Sequence, residues 1–118
     1  MINFLKAFYY AFNGLIIFFR HERNGKIQLA VAIIVGLFGF KCQLSTIEWM
    51  VVIACIATVL AFEMVNSSIE KLCNLVHPTF HPAVKIIKDM AAGAVLLVSI
   101  GSSIIGIIIF LPKILQML

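Results

Sequence analysis

Long apolar runs separated by short polar segments dominate the sequence. Three of these runs are long enough to cross a bilayer, which takes about 20 residues of α-helix. They comprise residues 27–44, 46–75 and 84–111. Ser45 or Thr46 can cap the second helix at its N-terminus, and Pro112 with Lys113 is expected to end the last one. The pattern therefore predicts an all-α membrane protein with three transmembrane helices.

The first segment, residues 2–20, has a different pattern. Aromatic and leucine side chains recur at helical spacing, while Lys6, Asn13 and Arg20 interrupt the apolar run. This one-sided distribution favours an amphipathic helix lying in the membrane surface, with a fourth span as the alternative. The next segment, from His21 to Lys26, contains Asn-Gly and predicts a turn or a junction between helices.

Composition agrees with a membrane protein. Hydrophobic residues make up 63% of the 118 residues, charged residues make up 12%, and the mean hydropathy is +1.12. A soluble domain is closer to about 45–50% apolar. The length suits one domain over residues 1–118. Because so few helices can bury few polar groups among themselves, an oligomer is expected.

The basic residues flank the apolar runs rather than forming one patch, although the net charge is +4. This distribution favours anionic lipid over nucleic acid as the counter-charge. In the three-span topology most basic side chains share one membrane face: Lys6, Arg20, Arg23, Lys26, Lys71, Lys85 and Lys88. The positive-inside rule then predicts that this face and the N-terminus are cytoplasmic.

A polar stripe interrupts the second predicted span. Glu63, Asn66 and Glu70 follow one another at helical spacing, so their side chains fall within an arc of roughly 60° on the helix. Ionisable side chains at membrane depth are costly and mark a functional site by default. The alternative is a structural ion pair between one of these carboxylates and Lys71 or Lys88.

The predicted topology brings acidic side chains from separate helices to the cytoplasmic surface. Glu22 and Glu70 could hold Mg²⁺ together with nucleotide phosphates, because Mg²⁺ prefers few protein ligands plus substrate oxygens and water. Lys88 could neutralise phosphate charge. Glu63 lies deeper and suits a general base that takes a proton from an alcohol, and Asn66 could orient either carboxylate.

The histidines and cysteines do not indicate a functional site. The three histidines lack the spacing of a metal-ligand set, and the three cysteines suit small apolar fillers. The sequence contains neither the P-loop motif nor the glycine-rich motif of protein kinases. The residues alone therefore indicate a membrane enzyme or a transporter.

Two segments resemble the signature of the bacterial integral-membrane diacylglycerol kinase and undecaprenol kinase family. Residues 63–70 (EMVNSSIE) fit E-x-x-N-[ST]-[AS]-I-E, and residues 88–95 (KDMAAGAV) fit K-D-x-[AG]-[AS]-[AG]-A-V. The resemblance implies a homotrimer in the bacterial inner membrane, with three spans and a surface helix in each subunit. It also implies transfer of the ATP γ-phosphate to a lipid hydroxyl, with Mg²⁺, at sites shared between subunits. The short N-terminus and residues 81–97 (HPAVKIIKDMAAGAVLL) look more like the undecaprenol kinase branch than the diacylglycerol kinase branch.

The resemblance also implies roles for individual residues. Glu63 matches the proton acceptor, and Asn66 matches the amide of the same catalytic cluster. Glu22 and Glu70 match the carboxylates that bind the divalent metal. The residues that match the ATP-binding positions are Tyr10, Glu22, Glu70, Phe80, His81, Lys88 and Asp89.

Two positions depart from the family pattern, and two other functions compete with the kinase. Asn74 stands where members usually carry Asp, and Thr79 stands where many carry Glu. A small proton-coupled multidrug exporter would need four spans and would have no use for Lys88. A non-catalytic membrane scaffold would tolerate Glu63→Gln almost silently.

Overall fold

The structure, a computed structural model, describes residues 2–118, and α-helices are the regular secondary structure of this range. The four helices are α1 (Ile2–His21), α2 (Arg23–Lys41), α3 (Thr46–Val76) and α4 (Pro82–Met117). By length and composition each of them can cross a membrane. The structure therefore confirms the all-helical class expected of a membrane protein.

The helices α3 and α4 form the largest contact in the chain, and α2 packs against α3. The buried core is small and lies at the end of the molecule where α2 passes into α3. This cluster consists of Cys42, Leu44 and Val52, while Phe18 and Cys73 are buried elsewhere. Most large apolar side chains, in contrast, are exposed on the surface of the single chain. Such a surface requires lipid or neighbouring subunits around it.

A single non-helical residue, Glu22, separates α1 from α2. Its backbone is extended, with φ −94° and ψ 131°. The prediction of a junction between residues 21 and 26 is confirmed, but the alternative of a turn at Asn24-Gly25 was wrong. Gly25 lies in the first turns of α2 and lets the backbone approach α1, since a Cβ there would overlap the carbonyl oxygen of Phe18. The glycine therefore serves close packing.

The helix α3 begins and ends close to the predicted bounds of 46–75. The Ser45 hydroxyl accepts a hydrogen bond from the Glu48 amide at 3.2 Å, and the Glu48 carboxylate accepts one from the Ser45 amide at 2.9 Å. This reciprocal capping box fixes the start of the helix. His77, which precedes Pro78, lies just beyond its C-terminus, as expected of a residue before proline.

The prediction that Pro112 and Lys113 end the last helix was wrong, because α4 continues to Met117. Proline removes one backbone hydrogen bond, but packing beyond it compensates for that loss. Ile114 packs against the buried core, and Lys113 Nζ lies 3.1 Å from the Glu48 carboxylate. Contacts with α3 therefore keep the last turns helical. The same helix begins at Pro82 and α2 begins at Arg23, each shortly before a predicted membrane span, and the span bounds of 84–111 and 27–44 stay predictions.

Replacement of Gly25 by alanine should destabilise the α1–α2 junction by about 2 kcal/mol or more, because the added Cβ would overlap backbone atoms that cannot move away alone. The midpoint of unfolding in mixed detergent micelles measures this effect. Gly36→Ala on the same helix is the matched control, since no atom lies within 4 Å of the Cβ position. Alanine is also favoured over glycine inside a helix by about 1 kcal/mol. Equal stability of the two variants would contradict the proposed close packing.

Candidate functional site

Two side-chain contacts connect three helices at the end of the molecule opposite the buried core. Lys71 on α3 forms an ion pair with Glu22 at the start of α2, with Nζ 2.7 Å from Oε1. Lys88 on α4 donates a hydrogen bond from Nζ to Asn74 Oδ1 on α3 at 2.5 Å. Glu70 directly precedes Lys71 in the sequence of α3. This end of the molecule therefore gathers charged and amide side chains from α2, α3 and α4.

Glu63 is the buried member of the predicted polar stripe, with a relative exposure of 7%. Its Oε1 accepts a hydrogen bond from Gln28 Nε2 on α2 at 3.4 Å. A buried carboxylate needs such a partner because removal from water is costly. The predicted alternative, an ion pair between Glu63 and Lys71 or Lys88, is not what the structure contains.

The stripe runs from a buried to an exposed position along α3. Glu63 is buried, Asn66 is half-buried, and Glu70 is exposed. Ser67 is a further buried polar residue one turn after Glu63, with 7% exposure. A carboxylate at the deep end therefore lies on the same face as a carboxylate that is open to solvent.

The predicted metal carboxylates come from separate helices, but one of them is already paired. Glu22 is half-buried and bound to Lys71, whereas Glu70 is exposed. Within residues 2–118 no group of three or more His, Cys, Asp or Glu side chains is arranged to hold a metal ion. Two carboxylates are nevertheless enough for Mg²⁺, which takes its remaining ligands from phosphates and water. The donor chemistry at Glu22 and Glu70 therefore fits this ion.

The loop between α3 and α4 encloses one side of a cavity of about 270 Å³. His81 caps α4, because its Nδ1 accepts a hydrogen bond from the Ala83 amide at 3.1 Å. His77 Nδ1 donates to the Thr79 carbonyl oxygen at 2.9 Å, and the two histidine rings lie 5.0 Å apart. The other side of the cavity is formed by residues of α4: Val84, Lys85 and Lys88. The loop is thus ordered by its own hydrogen bonds beside the Lys88 amine.

The structure does not gather all of the predicted nucleotide-binding residues. Phe80 lines the loop cavity but is 76% exposed. Asp89 is exposed and pairs with Lys85 at 2.6 Å. Tyr10 is exposed on α1, and the aromatic contact found for it within residues 2–118 is with Tyr9. In the single chain, the cavity therefore brings together Lys88, Phe80 and His81.

Three of these contacts were missed in the sequence analysis. Gln28 as the partner of Glu63 could have been noticed, because it is the only polar side chain between Ile27 and Phe40. Asn74 was noted as a departure from the family pattern but not as the acceptor for Lys88. The pairing of Lys71 with Glu22 depends on the register between two helices, which the sequence pattern does not supply.

Comparison with known proteins gives a consistent result. A family model described as prokaryotic diacylglycerol kinase matches residues 9–110. The chain is 40% identical over 111 residues to undecaprenol kinase of Bacillus subtilis (strain 168), which covers 94% of this chain and 90% of that protein. It is 32% identical over 117 residues to diacylglycerol kinase of Synechocystis, covering 98% of this chain and 67% of that protein. It is 30% identical over 93 residues to diacylglycerol kinase of Helicobacter pylori, covering 78% and 72%.

Proposed function

The chain belongs to the prokaryotic diacylglycerol kinase family, a family of membrane lipid kinases, and from this premise we propose that it transfers the γ-phosphate of ATP to a membrane lipid hydroxyl. The observation that carries the proposal is the burial of the Glu63 carboxylate, which accepts a hydrogen bond from Gln28. This carboxylate lies on the same face of α3 as the exposed Glu70. We propose undecaprenol as the acceptor, because the undecaprenol kinase relative matches 94% of this chain at 40% identity.

The reaction is an in-line phosphoryl transfer. Glu63 accepts the proton of the lipid hydroxyl as the lipid oxygen forms a bond to the γ-phosphorus. The bond from that phosphorus to the β,γ-bridging oxygen breaks, and ADP leaves with the electron pair. The Lys88 ammonium group lies at the loop cavity and stabilises the charge that develops on the phosphoryl oxygens. Asn66, one turn from Glu63, orients the reacting groups.

Glu22 and Glu70 are the residues we propose to hold Mg²⁺. When bound, this ion supplies positive charge to the β- and γ-phosphates. Lys71 keeps the Glu22 side chain at the α2–α3 contact, at a distance of 2.7 Å. The exposed position of Glu70 leaves its carboxylate free to approach phosphate and water.

The nucleotide is proposed to bind on the α4 side of the site. Phe80 and His81 belong to the loop that borders the cavity, next to the Lys88 amine. Asp89 follows Lys88 on α4 and presents an exposed carboxylate for the sugar or base. Tyr10 lies on α1, so its proposed contact with the adenine requires a neighbouring subunit or a movement of α1 toward the loop. Shared sites in a homotrimer would supply that contact.

We propose a topology in which α1 lies in the membrane surface and α2, α3 and α4 cross the bilayer. In support, α1 has the most one-sided distribution of apolar residues among the four helices. The molecule measures 53 × 42 × 21 Å, which is broader than a compact bundle of four parallel helices, each about 10 Å across. The excess of Lys and Arg at the α1–α2 junction and at the start of α4 favours a cytoplasmic site in the inner membrane.

The rival function, a proton-coupled small multidrug transporter, has no support from the relatives of this chain, which are kinases by name. It would also leave the Lys88–Asn74 contact and the ordered loop without a role. Four apolar helices are compatible with it by length alone. The kinase therefore remains the function that accounts for more of the site.

The decisive experiment offers purified protein radiolabelled ATP together with undecaprenol or diacylglycerol in mixed micelles. We expect Mg²⁺-dependent formation of labelled undecaprenyl phosphate, with slower labelling of diacylglycerol. Preferred labelling of diacylglycerol would reject the proposed acceptor while leaving the lipid kinase intact. Absence of label in both lipids, in protein that elutes as a single species, would reject the kinase itself.

A further inference from the structure

We propose that Gln28 is a positioning residue for phosphoryl transfer, which holds the Glu63 carboxylate in the orientation that accepts the lipid proton. This inference rests on the proposed kinase function. Gln28 Nε2 donates to Glu63 Oε1 at 3.4 Å, and the bond connects α2 with α3 across 35 positions of the sequence. Glu63 has 7% exposure, so water can do little to restrain its side chain.

The two oxygens of the Glu63 carboxylate are in different situations. Oε1 accepts the hydrogen bond from Gln28. No hydrogen bond to Glu63 Oε2 is found within residues 2–118. In the same range, every fully buried side-chain oxygen has a hydrogen-bond partner. It follows that Oε2 is not fully enclosed by the chain. One oxygen is therefore anchored while the other remains open, as a general base requires.

Glu63 differs from most other acidic residues of the chain because its hydrogen-bond partner, Gln28, is uncharged. Three of the five acidic residues pair with lysine: Glu22 with Lys71, Glu48 with Lys113, and Asp89 with Lys85. A lysine beside the base would hold a compensating charge in place and oppose uptake of a proton. The Gln28 amide instead restrains the carboxylate without adding charge. Its contact is therefore suited to a group that must accept a proton.

Space around Gln28 makes its replacement practicable. Its side chain also lines a cavity of about 340 Å³ between α2, α3 and α4, together with Leu60 and Ser99. A methionine has nearly the same length as glutamine and is flexible enough to fit such an irregular space. Gln28→Met therefore removes the donor without enlarging the side chain.

The test measures steady-state kinetics and detergent stability of Gln28→Met beside the wild type. We expect kcat to fall on the order of tenfold or more, because the base is no longer held in its reacting orientation, with the KM for ATP within about twofold of wild type. Gln28→Glu, which has the same shape but no donor when ionised, should be impaired as well. Gln28→His keeps an N–H donor and should retain more activity than either. Gln116→Met, on an exposed residue at the far end of α4, is the matched control and should leave kcat unchanged.

A double substitution separates positioning from a general structural effect. In a Glu63→Asp background the shortened carboxylate can no longer reach Gln28, so adding Gln28→Met should reduce kcat by a smaller factor than it does in the wild type. An equal factor in both backgrounds would overturn the proposal. So would wild-type kcat for Gln28→Met, or an effect confined to the KM for ATP. If Gln28→Met does not fold, equal activity of Gln28→His and Gln28→Glu would overturn it instead.

The same assay distinguishes this inference from the function on which it rests. A wild-type protein that labels neither undecaprenol nor diacylglycerol rejects both together. An active wild type with an equally active Gln28→Met variant rejects only the role of Gln28.

Discussion

Glu63→Gln should lower kcat for lipid phosphorylation about 10²–10⁴-fold, because the substituted amide cannot accept the proton of the lipid hydroxyl. The change is nearly isosteric, and the new amide oxygen can still accept the hydrogen bond from Gln28. The loss should therefore reflect the missing base rather than a packing defect. Transfer of radiolabel from ATP to lipid, measured at saturating concentrations of both substrates, gives the value directly.

The control for this experiment is Glu48→Gln on the same helix. Glu48 lies in the first turn of α3, where its carboxylate caps the helix and pairs with Lys113. A glutamine there keeps an oxygen that can accept from the Ser45 amide, so activity should stay close to that of the wild type. Activity of Glu63→Gln close to wild type, in protein that elutes normally in detergent, would reject Glu63 as the base and favour the scaffold.

Lys88→Met should lower kcat about 10²–10³-fold, a range typical of the removal of one group that stabilises transition-state charge. Methionine retains most of the aliphatic stem, so the contacts of Lys88 with the loop cavity are largely preserved while the ammonium group is lost. Its hydrogen bond to Asn74 is lost as well. The same labelling assay, run over a range of ATP concentrations, separates the effect on kcat from that on KM.

Lys41→Met provides the comparison for this charge removal. Lys41 is exposed at the C-terminus of α2, close to the buried cluster at the opposite end from Lys88. Its replacement removes the same charge from the protein but none from the site, and we expect kcat within about twofold of wild type. Similar losses for both variants would indicate a general effect of net charge and would remove Lys88 from the mechanism.

Much of the fold follows from local signals in the sequence. The bounds of α3 were predicted closely because a capping residue, Ser45, precedes it and His77-Pro78 follows it. Local signals failed where tertiary packing outweighed them. The Asn-Gly pair did not form a turn because Gly25 packs directly against Phe18, and Pro112 did not end α4 because Ile114 still packs on the core. The surface position of α1 stays a prediction.

The candidate site was predictable in its residue types but not in its pairings. Helical spacing was sufficient to indicate Glu63, Asn66 and Glu70 as one face of α3. The contact partners of these and neighbouring residues depend on the axial register between two packed helices. A shift of one helix by one turn would give each residue a different partner. For this reason the contacts of Gln28 with Glu63 and of Asn74 with Lys88 emerged only from the structure.

The proline within α4 has a consequence for the depth of the protein in the bilayer. Pro112 has no amide hydrogen, so the carbonyl oxygen of Ile108 lacks its normal partner four residues onward. Lipid hydrocarbon cannot donate a hydrogen bond to this carbonyl oxygen, whereas water among the lipid headgroups can. In the topology proposed above, this places Ile108 at one boundary of the acyl region, with the turns beyond it among glycerol, phosphate and water. The 36-residue helix is about 54 Å long, so in the same topology its N-terminal end would extend past the other acyl boundary as well.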